Sequence, residues 1–254
     1  MKAYIAFVKK EILEQIRTSK LLILVVVFLA FGIISPLLAK LTPEIFKMIP
    51  MEGISITIPE PTALDSYGQF FKNVNQMGIV ILILMFGNTL SNEISRGTLI
   101  NMLTKGLSRS TVIAAKFTAN AGLWTLAYAV SFFTMYGYTV YLFPNDSLQQ
   151  VFVSVGCVWL FGVFLIALII LGTTITKGNY GGILFTLLVI ASFFFVGIIP
   201  KVSRCLPLSL VTENMSLING SLKISELYVP ILITITATIA SLWTSSYLFR
   251  TKQL

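Results

Sequence analysis

Histidine is absent from all 254 residues, and charge is scarce, with 18 basic and 10 acidic residues making up 11% of the chain. The missing imidazole excludes histidine-ligated metals and histidine general bases. A soluble domain carries roughly 25% charged residues, whereas this chain is 56% apolar with a mean hydropathy of +0.89. An integral membrane protein is therefore expected. Two cysteines, Cys157 in an apolar run and Cys205 in a connector, provide no disulfide framework. No carboxylate sits at the heart of an apolar run, which disfavours intramembrane aspartyl chemistry. Ion-coupled carriers keep ionisable groups or broken helices near the midplane, and none is clearly placed here. No G-x-x-x-x-G-K-[ST] loop occurs, and the connectors are too short for an ATPase domain of about 50–250 residues. Energy for any uphill transport is expected to come from another chain.

Six apolar runs remain, near residues 21–41, 75–92, 113–142, 151–175, 181–199 and 228–248. Each is close to the roughly 20 residues that a helix needs to cross a bilayer. The predicted fold is all-α, a single transmembrane domain over 1–254. Because the first run follows a charged segment and is not followed by an Ala-x-Ala site, it reads as a retained span rather than a signal peptide. With the N-terminus inside, twelve basic and three acidic residues fall on the inner side, against six basic and seven acidic outside. That asymmetry predicts a multi-pass protein of the cell membrane with both termini cytoplasmic. It also assigns the net charge of +8 to topology and attraction to the inner leaflet, not to nucleic acid.

Residues 2–19 place Ile5, Val8, Ile12 and Ile16 on one helical stripe, with Lys9, Lys10, Glu14 and Arg17 mostly elsewhere. This pattern predicts an amphipathic interfacial helix; it serves as a plain anchor or also contacts a cytoplasmic partner. The loop at 42–74 contains Pro43, Pro50, Pro59 and Pro61, which argue against a long helix there, although Ser66–Asn75 could form a short amphipathic one. Tyr136, Tyr138, Tyr141 and Phe143 read as an interfacial aromatic belt. The segment 200–227 is too short in apolar length to cross and reads as a re-entrant or interfacial element. Ala237, Ser241 and Ser245 form a small-residue stripe suited to helix packing in the last run. Asn-x-Ser tripeptides at Asn145, Asn214 and Asn219 are better taken as coincidence than as glycosylation sites.

One long polar stretch with a basic excess interrupts the runs: Asn92 to Lys116, NEISRGTLINMLTKGLSRSTVIAAK. Its plain reading is a solvated loop with positive-inside charge. Glu93, the run Arg96-Gly97-Thr98-Leu99, the pair Ser108-Arg109 and Lys116 together resemble the signature between spans two and three of type-two ABC exporter permeases. Gly106 departs from that pattern, standing where the family commonly has proline. The wider order of elements, from a leading amphipathic helix to six spans, is also similar across nearly the whole chain.

The resemblance implies two six-span halves around a central pathway, as a homodimer, with each half docking one separate ATP-binding subunit. ATP and Mg would belong to those two partner subunits; no cofactor, metal or catalytic residue is expected in this chain, and it is not expected to be an enzyme. Carried over, the ATPase-coupling element is Asn92–Leu107 within a cytoplasmic segment 92–112. Glu93, Arg96, Gly97 and Thr98 open it and Ser108-Arg109 close it, while Ile94, Leu99, Ile100, Met102 and Leu103 supply apolar contact. Sparse charge along the pathway favours a hydrophobic or amphipathic substrate, a peptide or drug. Relatives of this size include exporters of amphipathic and antimicrobial peptides similar to the phenol-soluble modulin exporters, as well as drug, sodium and copper-maturation permeases. A non-transporting membrane scaffold or assembly factor is the alternative, and a membrane enzyme is third, since no nucleophile–base pair is visible.

Overall fold

The computed structural model describes residues 2–47, 60–95, 97–104, 106–144, 148–176 and 178–251, of which 46, 47, 100 and 101 by backbone alone. Among these residues every regular element is helical. The chain opens with α1 (Lys2–Arg17) and α2 (Lys20–Lys47), then runs through α3 (Ala63–Asn73), a π-helical turn (Val74–Gly78) and α4 (Ile79–Phe86). Two short helices follow, α5 (Thr89–Ser95) and α6 (Thr98–Thr104), and then three long ones, α7 (Arg109–Leu142), α8 (Val151–Ile175) and α9 (Gly181–Val196). The remainder comprises α10 (Pro200–Ser203), α11 (Ser209–Thr212), α12 (Asn214–Ile218), a 3-10 turn (Ile224–Leu227) and α13 (Tyr228–Thr251).

Among the described residues, four helical stretches are long and apolar enough to cross a bilayer: Lys20–Ile45, Ala63–Ser95, Val151–Ile175 and Ile224–Thr251. The other two apolar runs form helices of different character. α7 has ample length at 34 residues, but Lys116, Asn120 and several hydroxyls dilute its apolarity. α9 is apolar and 16 residues long, below the roughly 20 residues of a typical span.

The axis of the bundle is α8, in which 78% of the most apolar window is buried, against 28% for α2 and for α13. Its near-continuous apolar sequence leaves no polar face, so it can only be surrounded. On one side stands α7, where Trp124 stacks on Tyr128 at 5.0 Å and meets Phe28 of α2 edge-on at 5.4 Å. The Trp124 indole N–H donates to the Trp159 carbonyl at 3.0 Å, and the Tyr128 hydroxyl to that of Val155 at 3.1 Å. Gly162 makes this approach possible, because a Cβ there would stand 2.3 Å from the Trp124 ring. A second close crossing occurs at Gly182 of α9, whose missing Cβ would lie 2.6 Å from the Gly87 carbonyl.

The first apolar run was expected to end near Leu41; α2 instead continues through Pro36 and Pro43 to Lys47. Ser35 and Thr42, each just before a proline, fold their hydroxyls back onto the carbonyls of Phe31 and Leu38, at 2.6 Å in both cases. The carbonyls that Pro36 and Pro43 leave without a backbone donor are those of Gly32 and Ala39, one residue further on. Pro50 and Pro59, from the same loop, and Asn145 lie outside the described residues. In the 200–227 segment, α11 and α12 cap one end of α8, burying Leu210, Val211 and Leu217, and the Ser154 hydroxyl donates to the Asn214 carbonyl at 3.1 Å. Along α13, Ser241 and Ser245 are buried and Ala237 packs on the core.

Candidate functional site

At the end of the bundle where α13 finishes, α5 and α6 form a bracket between α4 and α7. Two glycines in the left-handed region shape it: Gly97 at φ 68° and Gly106 at φ 91°. Gly106 N–H donates to the Leu103 carbonyl at 3.0 Å and Leu107 N–H to that of Met102 at 3.3 Å, the paired bonds of a Schellman stop. Proline cannot reach positive φ, so the departure at Gly106 from the exporter pattern is what this turn requires. Ser108 then starts α7, its hydroxyl accepting from Thr111 N–H at 3.2 Å.

Side chains from α1, α5 and α7 converge on a buried ion cluster. Lys116 of α7, 1% exposed, places its ammonium 2.8 Å from Glu93 of α5 and 2.9 Å from Glu11 of α1. Lys10 closes the ring, pairing with Glu93, with Glu11 at 3.0 Å and with Glu14 at 2.7 Å. One helical turn beyond, the Gln15 amide donates to Asn120 at 2.9 Å. Burial alone would lower the Lys10 pKa, but hydrogen bonds to Glu14 and Glu93 and the charges of Glu93 and Glu11 outweigh it and raise it. Glu11, Glu14 and Glu93 bring carboxylate oxygens within 4.8 Å of one another, a spacing that would suit a cation. Here the ammonium groups of Lys10 and Lys116 supply that positive charge.

The cluster reverses the usual sense of an amphipathic helix. α1 buries Phe7, Glu11 and Gln15 against the protein and leaves Ile5, Ile12 and Ile16 exposed. Glu11 and Gln15 are matched by Lys116 and Asn120 on α7, and Ile5, Ile12 and Ile16 face outward, while Val8 packs partly on the core. Such a helix packs onto protein by charge and onto a bilayer surface by apolar contact.

The other residues singled out from sequence take distinct places. Leu99 is fully buried, Leu103 and Ile94 pack partly against the core, and Thr98 is exposed, its hydroxyl donating to the Glu93 carbonyl at 3.2 Å. Arg109 reaches the last turn of α13, donating to the Phe249 carbonyl at 2.8 Å and lying over the Phe249 ring. A cation at a helix C-terminus is favourably placed. Lys9 and Arg17 are exposed on α1. Arg96 and the side chain of Ile100 lie outside the described residues. Glu11, Gln15 and Asn120 were not singled out from sequence; the signal available was polar residues at matching four-residue spacing in α1 and α7.

A cavity of about 280 Å³ opens beside the cluster, lined by Lys20, Thr89 and Asn92 together with the charged groups. It is small, lined mostly by polar side chains, and lies beside the Lys10–Glu93 contact that joins α1 to the α5–α6 bracket.

Comparison with known proteins gives two findings. The family described as "ABC-2 family transporter protein" matches residues 5–254. An uncharacterized transmembrane protein of Bacillus subtilis (strain 168), YxlG, is similar, at 23% identity over 180 residues, covering 70% of this chain and 69% of the relative.

Proposed function

The chain belongs to the ABC-2 transporter family, as a membrane transporter subunit, and on that premise we propose that it is the permease half of an ATP-driven exporter. In this reading α5 and α6 are the element on which a separate ABC ATPase docks. The observation that carries it is the meeting of α1, α5 and α7 at one ion cluster, on the end of the bundle where Arg109 also holds the C-terminus of α13. A push on the α5–α6 bracket would be delivered at once to α7 and α1, and through Arg109 to α13, so that the half moves as a rigid body. That end is cytoplasmic, with α2, Ala63–Ser95, α7, α8, α9 and α13 as six spans.

Two such halves pair, each with one ATPase subunit that binds ATP and Mg, while this chain contributes no catalytic group. The cargo is a hydrophobic or amphipathic peptide or drug, consistent with the low charge of the spans. Reconstitution with the co-purifying ATPase tests the reading. ATP-dependent movement of an amphipathic peptide and cargo-stimulated ATP hydrolysis are expected; absence of both, with the complex intact, would make the chain a scaffold.

A further inference from the structure

At the opposite end of the bundle, a cleft of about 490 Å³ opens between the π-helical turn, α8, α9 and the α11–α12 cap. It adjoins a second hollow of about 380 Å³ through the shared residues Gly68, Lys72 and Met215. Both volumes fall in the range of small-molecule sites, roughly 300–1,000 Å³.

The walls differ in chemistry. Phe71 and Phe161 are buried at the back, while Phe194 is 60% exposed at the mouth on α9, where lipid chains would lie. Lys72 is the one ionisable residue lining the larger cleft, and among the described residues no carboxylate forms an ion pair with it. The neighbouring hollow contains Asp65, whose Oδ2 accepts from the backbone N–H and the hydroxyl of Thr62, both at 2.9 Å, and which forms no ion pair with Lys72.

Asn75 sits in the π-helical turn. Its amide nitrogen donates to the Val211 carbonyl at 3.0 Å, and because a carbonyl only accepts, the orientation of the amide is determined. The Asn75 Oδ1 is then shielded from solvent with no donor. π-helical turns inside α-helices cluster at functional sites, and a buried acceptor left empty is costly.

We propose that this cleft binds an anionic amphipath: a carboxylate or phosphate at Lys72 and a hydrocarbon chain along Phe71, Phe161 and Phe194. The molecule enters sideways from the bilayer, past Phe194. The shared chemistry is met by a single-chain fatty acid and by an anionic phospholipid. The proposal stands apart from the transport reading, since binding is measured on the isolated chain.

The test is native mass spectrometry of the purified full chain titrated separately with oleate, oleyl alcohol and a phosphatidylglycerol. One oleate or one phosphatidylglycerol is expected to bind per chain, at least about tenfold tighter than the alcohol, the ratio of a 1.4 kcal/mol difference. Lys72→Gln, at an exposed position, should weaken the anions about tenfold and leave the alcohol unchanged. Gly68→Phe should abolish binding of all three, because a Cβ at Gly68 meets only the flexible Met215 methyl at 3.4 Å and the ring would fill the cleft. Melting temperatures near that of the parent establish that both variants fold. Binding of oleate alone identifies a single-chain ligand and binding of the phospholipid identifies a leaflet lipid; either supports the site. Equal affinity for oleate and oleyl alcohol, unchanged affinity in Lys72→Gln, or retained binding in Gly68→Phe would overturn it.

Discussion

Lys116 and Glu11 stand 105 residues apart in the chain and 2.9 Å apart in space, both almost wholly buried. With Glu93 and Lys10 they tie the first helix to the α5–α6 bracket and to α7.

Removing one member of such a cluster leaves its partners buried and uncompensated, which typically costs about 3–5 kcal/mol. Lys116→Met and Glu11→Gln should each destabilise the purified protein on that scale, read as a drop in thermal or denaturant midpoint. The double variant should lose less than the sum, because the two groups share partners. Additive losses, or a Lys116→Met protein as stable as the parent, would mean the cluster does not hold α1 in place.

The pH dependence follows from Lys10. Its folded pKa is raised above the ordinary lysine value of about 10.4. The sign is then that the stabilisation is fully present below that ordinary value and is lost only as pH climbs through the folded pKa. The stability gap between the parent and Lys10→Met should accordingly stay constant from pH 6 to pH 9. A gap that closes by pH 8 would contradict the raised pKa.

Gly106 at φ 91° offers a local test. Alanine there should cost about 1–2 kcal/mol for the left-handed backbone, and proline more, because its ring excludes positive φ. Hydrogen exchange would show the cost as faster exchange of the Leu107 amide, which closes α6 onto the Met102 carbonyl. Proline tolerated without change would show that the Schellman stop is not what ends this helix.

The helical, membrane-embedded class and the family were legible in the sequence because both are written locally, in apolar runs and in the Gly97-Thr98 and Ser108-Arg109 pairs. The partners of those residues were not. Glu93 and Lys116 belong to one polar stretch, yet what joins them to Glu11 is a helix crossing that no spacing within 92–116 encodes. Ile5, Ile12 and Ile16 marked α1 as amphipathic but hid that Glu11 and Gln15 lie on its buried face. Arg109 gave no sign that its acceptor lies on the Phe249 carbonyl of the last helix, since a backbone acceptor has no residue signature. The π-helical turn at Val74–Gly78 was likewise invisible: one extra residue in a helical turn changes no composition.

Since Glu93 is buried, exposed positions on the bracket report docking more cleanly than Glu93 does. Thr98→Arg should change stability by no more than about 0.5 kcal/mol, as surface substitutions do, while weakening recovery of the ATPase during co-purification of the permease. Unimpaired recovery would move the docking surface elsewhere.

The central claim is tested most directly by cross-linking Thr98→Cys, in a chain whose Cys157 and Cys205 are first replaced by serine, to the ATPase that co-purifies with it. A thiol-reactive cross-linker is expected to join the two subunits from position 98, with a yield that changes when ATP is added. A link formed as readily from Lys72→Cys at the opposite end, or none from position 98 in an intact complex, would contradict it.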